Sequence, residues 1–256
     1  MVETTTYDTV LVERDGGVAT VTLNRPDRHN ALDHQMAVDF DRALHDVAEA
    51  RAVVLTGAGG RAFSAGWDLK GASEGEVIDP PWEELCERLA GLRPATVAAI
   101  EGWCLGGGLA LAIACDFRVA TSSAKLGMPE VLRGIFPGMA CTWRIPRLIG
   151  IPRARELMLL GQHLAAPTAL DWGLVNRIAE PGEALTTALE LAATLADGAP
   201  LAQEAINRMI DGSYEVDVEE NYRLQAEIAG HVGVSADARE GISAFVDGRA
   251  PVFQGR

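Results

Sequence analysis

Residues 104–116 read CLGGGLALAIACD, and how that stretch folds decides the architecture of the whole chain. Three consecutive glycines run straight into an apolar segment of helical length. Each glycine costs roughly 0.8–1 kcal/mol relative to alanine inside a helix, so the bare backbone must serve some purpose. The segment before it, ATVAAIEG (95–102), is a short apolar run that predicts a buried strand. Beyond the glycines, Leu109–Cys115 predicts a helix and FRVATSS (117–123) the next strand. Strands alternating with helices mean an α/β fold.

The flanking sequence follows the same grammar. TVLVERDGGVATVTLNRP (9–26) predicts two strands around a turn at Asp15–Gly17, the second ended by Pro26. Asp33 is placed to cap a helix in which Met36, Phe40, Leu44 and Val47 share one face. RAVVLTG (51–57) reads as a buried strand. PPWEELCERLAGL (80–92) reads as a second amphipathic helix, with Trp82, Leu85, Cys86 and Leu89 on its apolar face and Gly91 at its end. Downstream come a helix at 152–161, a helical turn from Pro167 to Trp172 and a strand at 174–180. From about residue 182 the pattern changes to three or four helices without a strand, with Pro200 at a first helical position. The expected organisation is an α/β core over 1–190 and a helical segment over 191–256 suited to oligomerisation.

Composition bounds the function. The chain has 256 residues, 48% hydrophobic and 23% charged, which is ordinary for a globular protein. A formal charge of −14 argues against nucleic acid and anionic membranes as partners, since both require a basic face. The acidic start, MVETTTYDTVLVERDGG, lacks the basic and apolar regions of a signal peptide. The longest uncharged run, roughly 102–115, is too short to span a bilayer. Cys86, Cys104, Cys115 and Cys141 show no metal-ligand spacing, so free thiols in a reducing cytoplasm are expected and no metal site.

Gly57, Gly59 and Ala62 form a loose GxGxxA after a strand. A dinucleotide site would need a helix to follow, whereas FSAGWDLKGASEGEVIDPP (63–81) reads as a glycine-rich loop. A simple turn explains those glycines better. Two other turns remain, FSAGWDL (63–69) and CLGGGLA (104–110), each after a buried strand. Side by side, they could each give one backbone N–H to a single oxygen atom, forming an oxyanion hole. Glycine there lets a bulky group approach the backbone. The competing explanation is close helix–sheet packing.

NRPDRHNAL (24–32), FSAGWDL, EGWCLGGGLALAIACDFRVA (101–120), LGMPEVLRGIFPG (126–138), IPRLIG (145–150) and GISAFVDGRAPVF (241–253) together resemble the crotonase family, the enoyl-CoA hydratases and isomerases. The resemblance spans essentially the whole chain, and FSAGWDLK is particularly similar to the carnitinyl-CoA dehydratases. It implies a crotonase-like spiral of ββα units, a helical C-terminal segment and homotrimers or homohexamers. It also implies acyl-CoA thioesters as substrates, with no cofactor besides. By position, the oxyanion-hole amides are those of Trp67 and Gly107, with Gly106 alongside. Asp27, Arg28 and His29 are expected by the nucleotide of coenzyme A. Ala65, Asp68 and Leu69 are expected along the pantetheine arm, with Lys70 as a phosphate cation and Phe245 at the substrate from the C-terminal segment.

The resemblance also exposes a departure. The family's hydratases use two glutamates; the second is present as Glu130, and the position of the first is Ala110. Hydration needs one group to activate water and another to manage the α-proton. Moving a double bond from C3 to C2 needs one base that takes a proton from C2 and returns it at C4. With Met128, Val131, Leu132 and Phe136 around it, Glu130 is expected in an apolar pocket that raises its pKa. Δ3,Δ2-enoyl-CoA isomerisation is therefore the favoured activity. The alternatives are a one-glutamate hydratase or lyase helped by a tyrosine such as Tyr214 or Tyr222, and a non-catalytic acyl-CoA binding protein.

Overall fold

The computed structural model describes residues 2–73 and 79–256. Alternation of side chains along the strands builds the centre. The strands β1 (Glu3–Thr6), β2 (Val10–Asp15), β3 (Val18–Leu23), β4 (Ala52–Gly57), β6 (Ala95–Ile100), β8 (Phe117–Thr121) and β11 (Arg177–Ala179) form a seven-stranded sheet in the order β1-β2-β3-β4-β6-β8-β11. The hairpin β2–β3 closes with Asp15 opposite Val18 and Val10 opposite Leu23. From β3 onward all pairings in this sheet are parallel.

Val53, Leu55, Ala98, Ile100 and Ala120 enter the main core. Their neighbours Ala52, Val54, Val97, Ala99 and Val119 point the other way, where they are covered by α8 (Ala184–Ala196). Burial on both faces explains why these strands read as continuous apolar runs.

A second, four-stranded sheet has the order β10-β9-β7-β5, formed by His163–Ala165, Lys125–Gly127, Trp103–Leu105 and Ala62–Ser64. It carries both glycine turns at its strand ends. The helix α4 (Gly107–Ala114) leaves β7 directly, two residues earlier than the apolar pattern predicts. It is buried on every side, against α3 (Trp82–Ala90) and α5 (Cys141–Ile149). The helix α1 (His34–Asp46) starts as expected, with the Asp33 carboxylate accepting from the Met36 N–H at 2.9 Å.

The residues after Gly57 and Gly59 form β5, a strand and not the helix that a dinucleotide fold requires. Leu69–Ser73, expected as loop, is a short helix, α2; residues 74–78 of the same expected loop lie outside the described residues. The remaining helices are α6 (Ile151–Leu160), α7 (Ala166–Trp172), α9 (Pro200–Gly212), α10 (Val218–Gly233) and α11 (Ala236–Asp247). The expected boundary at 190/191 falls inside α8. Helices α9–α11 leave Ile206, Ile210, Tyr222, Ile242 and Phe245 exposed. All four cysteines are free and buried, and burial pushes the Cys86 thiol up to about 12. No helix among the described residues is long and apolar enough to cross a membrane.

Candidate active site

The two glycine turns meet. Leu32 forms a parallel bridge with Trp67, its N–H donating to Gly66 O at 2.8 Å and its carbonyl accepting from Asp68 N at 2.9 Å. In such a bridge the N–H of Trp67 itself points to the opposite edge, and that is where the second turn lies. A Cβ added at Gly66 would sit 3.0 Å from the Gly107 amide nitrogen; one at Gly107 would sit 3.7 Å from the Trp67 amide nitrogen. Gly107 opens α4, so its N–H stands outside the helix's own hydrogen-bond ladder.

Each of the three glycines has a separate steric reason. Gly106 has φ +52° and ψ −123°, where an L side chain is strained, and a Cβ there would lie 2.8 Å from Glu130 Oε1. A Cβ at Gly107 would press on Leu32 Cδ1 at 3.0 Å. At Gly108 it would meet the Ser64 carbonyl oxygen at 2.4 Å, so the third glycine brings helix and strand together. Packing and amide presentation both operate in one turn.

Behind this wall, the NRPDRHNAL segment acts as a clamp. Asn30 is fully buried; its Nδ2 donates to Ala62 O at 2.8 Å and Ala58 O at 3.0 Å, and its Oδ1 accepts from Arg25 N. Ser64 Oγ donates to Asn30 O and accepts from Gly66 N, and Ala65 N donates to His29 O. The Arg25 guanidinium spans Asp33 at 2.8 Å and Asp68 at 3.2 Å. Burial alone would raise the Asp68 carboxyl, but Arg25 and the Gly71 and Lys70 amides outweigh it and hold it below its ordinary pKa.

The turns border a cavity of about 380 Å³, within the usual range of small-molecule sites. Ala65, Trp67, Leu69, Gly106, Gly107 and Glu130 line it, joined by Met128 and Phe136. Glu130 opens a short 3-10 turn, Glu130–Arg133, after Pro129. Burial pushes its carboxyl pKa up, opposed by its own backbone amide and the Arg133 guanidinium. Two buried side-chain polar atoms lack a hydrogen-bond partner among the described residues, Glu130 Oε2 and Trp82 Nε1, and both residues border this cavity.

Other expected positions fall elsewhere. Ala110, expected among the substrate-binding positions, is instead fully buried in the main core and is not among the residues that line the cavity. Val131 and Leu132 are exposed and lie outside the lining, so the apolar surroundings of Glu130 come instead from Met128, Ile135, Phe136 and Met139. Asp27, Arg28 and His29 form an exposed turn, and Lys70 is exposed at the start of α2. Asp68 is engaged with Arg25 and not with the cavity. Phe245 is 87% exposed on α11, and Tyr214 and Tyr222 are both 70% exposed and away from the cavity. Sequence reasoning missed Pro81, Glu83, Gly138 and Cys141 as lining residues. Trp82, on the apolar face of α3, also reaches the cavity.

Residues 13–256 match the sequence profile of enoyl-CoA hydratase/isomerase. The chain belongs to the enoyl-CoA hydratase/isomerase (crotonase) family. It is 35% identical over 248 residues to the short-chain-enoyl-CoA hydratase of Clostridium acetobutylicum, covering 94% of this chain and 95% of that one. It is 37% identical over 254 residues to the carnitinyl-CoA dehydratase of Salmonella typhi, covering 95% and 97%. The crystal structure of enoyl-CoA hydratase from Mycobacterium tuberculosis H37Rv superposes with a TM-score of 0.92 at 36% identity, covering 98% of this chain and all of that one. The fold is thus crotonase-like, and the protein is an enzyme of the enoyl-CoA hydratase/isomerase type.

Proposed function

We propose that this crotonase-family enzyme isomerises 3-enoyl-CoA to 2-enoyl-CoA thioesters, with Glu130 as the acid–base group. The observation that supports this reading most is the placement of Glu130. Its carboxyl is half-buried, lacks a partner on one oxygen and lies beside the Gly106–Gly107 turn, while position 110 brings no carboxylate to the wall.

In this reading the thioester oxygen accepts from the Trp67 and Gly107 N–H groups. Glu130 takes a proton from C2, the dienolate charge rests on the oxygen, and the same carboxyl delivers the proton to C4. Glu130 begins and ends ionised, so one group suffices. Its raised pKa brings it nearer to that of the acidified α-carbon. Ala65 and Leu69 flank the pantetheine arm, while the exposed turn Asp27–His29 and Lys70 meet the nucleotide end, Arg28 and Lys70 facing phosphate. The acyl-CoA is the substrate, and none of these steps calls on a further cofactor.

A 3-enoyl-CoA carrying deuterium at C2 tests the shuttle. The expected product is 2-enoyl-CoA with part of the label at C4, read by NMR or mass spectrometry. Wild-type protein that leaves 3-enoyl-CoA unchanged would overturn the assignment. Hydration or dehydration is the second reading, favoured by the names of the relatives, and it requires a second proton-transfer group.

A further inference from the structure

The cavity has a second carboxylate that the family resemblance does not identify. Glu83 stands in the first turn of α3 and lines the same cavity as Glu130. Its side chain forms no hydrogen bond or ion pair among the described residues. On the same wall Arg133 Nη1 donates to Pro129 O at 3.1 Å.

Glu83 is also seated. A Cβ added at Gly138 would lie 2.8 Å from Glu83 Oε1, the same relation that Gly106 has to Glu130 Oε1. Both carboxylates therefore occupy notches left by a missing side chain, and both notches open on one cavity. Gly138 precedes Met139, whose sulfur would touch a Cβ at Gly107 at 3.3 Å, so this notch is one residue from the amide wall.

The two carboxylates sit differently on this cavity: Glu130 is half-buried with one oxygen unpartnered, whereas Glu83 is exposed, where water reaches it. We propose that Glu83 is a further catalytic residue of this cavity, the base that activates water when 2-enoyl-CoA is reversibly hydrated. This rests on the reading of Glu130 and the two amides as the enolate-forming site.

The step balances. Glu83 takes a proton from water as its oxygen bonds to C3 of the 2-enoyl thioester. The C2–C3 π pair moves towards C2, and the charge is held on the thioester oxygen by the Trp67 and Gly107 amides. Protonated Glu130 then gives its proton to C2. H and OH have added across the double bond; Glu83 releases its proton to solvent and Glu130 takes one back. Dehydration is the reverse.

The test follows 2-butenoyl-CoA in ¹⁸O-labelled water. Wild type is expected to form 3-hydroxybutyryl-CoA with the label at C3. Glu83→Gln is expected to lower kcat for hydration at least the roughly 100-fold typical of losing a general base. Gly138→Ala keeps the charge but its new methyl displaces the carboxylate, and it should lower hydration at least tenfold. Its backbone takes no left-handed angle, so alanine is tolerated there. Absence of labelled product from wild type, or near-normal hydration in Glu83→Gln, overturns the proposal. The 3-enoyl-CoA assay run alongside separates the two readings: isomerisation that survives Glu130→Gln rejects Glu130, whatever Glu83 does.

Discussion

The amide wall of the cavity is fastened by bonds between distant segments, and the acid wall by bonds within its own ten residues. On the first, Leu32 N donates to Gly66 O, Ala65 N to His29 O and Gly106 N to Gly127 O, at 2.8–2.9 Å. On the second, Leu132 N donates to Pro129 O, Gly134 N to Val131 O and Ile135 N to Glu130 O, at 3.1–3.3 Å. Val131, Leu132 and Phe136 on that side are exposed. Donors that stabilise a developing charge work best when they need not reorganise. In the proposed shuttle the carboxyl must instead reach two carbons, and the hydrogen bonds that position Glu130 are those of its own turn. The contrast is sharpened by changing one wall at a time.

The largest effect is expected on the acid wall. Glu130→Gln keeps shape and hydrogen-bonding capacity but removes the base. Isomerisation should fall by roughly 10²–10⁴-fold, the usual loss for a general acid–base group, while the Kd for a saturated acyl-CoA changes little. Near-normal turnover would mean that the acid wall is only a wall.

On the amide wall, Gly107→Pro deletes one N–H. Proline suits a first helical position, but its ring also crowds Leu32 Cδ1, which a Cβ there would already meet at 3.0 Å, so the kinetics are read only on a variant that folds. Loss of one such donor costs about 2.7–4 kcal/mol of transition-state stabilisation, or 10²–10³ in kcat. A folded variant with wild-type kinetics would reduce the glycine turn to a packing device.

How much of this was legible in the sequence follows from the same contrast. The long strands β2, β3, β4, β6 and β8 and the helices α1 and α3 announce themselves through periodicity and caps, as Asp33 and Gly91 do. The three-residue strands β5, β7, β9 and β10 have no period to read. They exist because segments far apart, such as His163 and Gly127, pair in three dimensions. Helix α5 was hidden by Pro146 inside it. In the site, Trp67, Gly107 and Glu130 stood out only through the family motifs. The roles of Asn30 and Gly108 as clamp and packing contact needed coordinates, because their partners are backbone oxygens of other segments. Glu83 gave no signal: an acidic residue in a first helical turn reads as a solvated dipole partner, and only the packing of α3 over α4 brings it to the cavity.

The smallest effect concerns stability and comes from the same glutamate. Burial raises the Glu130 pKa in the folded protein. Between the ordinary carboxylate pKa and the raised one, the folded state therefore binds more proton than the unfolded chain. The slope of unfolding free energy with pH carries the sign of protons bound unfolded minus folded, which here is negative. Glu130 thus costs nothing at low pH, where it is protonated in both states, and destabilises the fold as pH rises through that window. The cost is complete once pH exceeds the raised value. Glu130→Gln has no charge to bury, so its Tm should exceed that of wild type at pH 8, and the gap should narrow towards pH 4. The other carboxyls are common to both proteins and cancel in the difference. A gap that is absent, or that does not change with pH, would mean that Glu130 is as well solvated as a surface carboxylate. Its wall would then offer no desolvated acid, and the distinction between the two sides of the cavity would reduce to the way each is hydrogen-bonded.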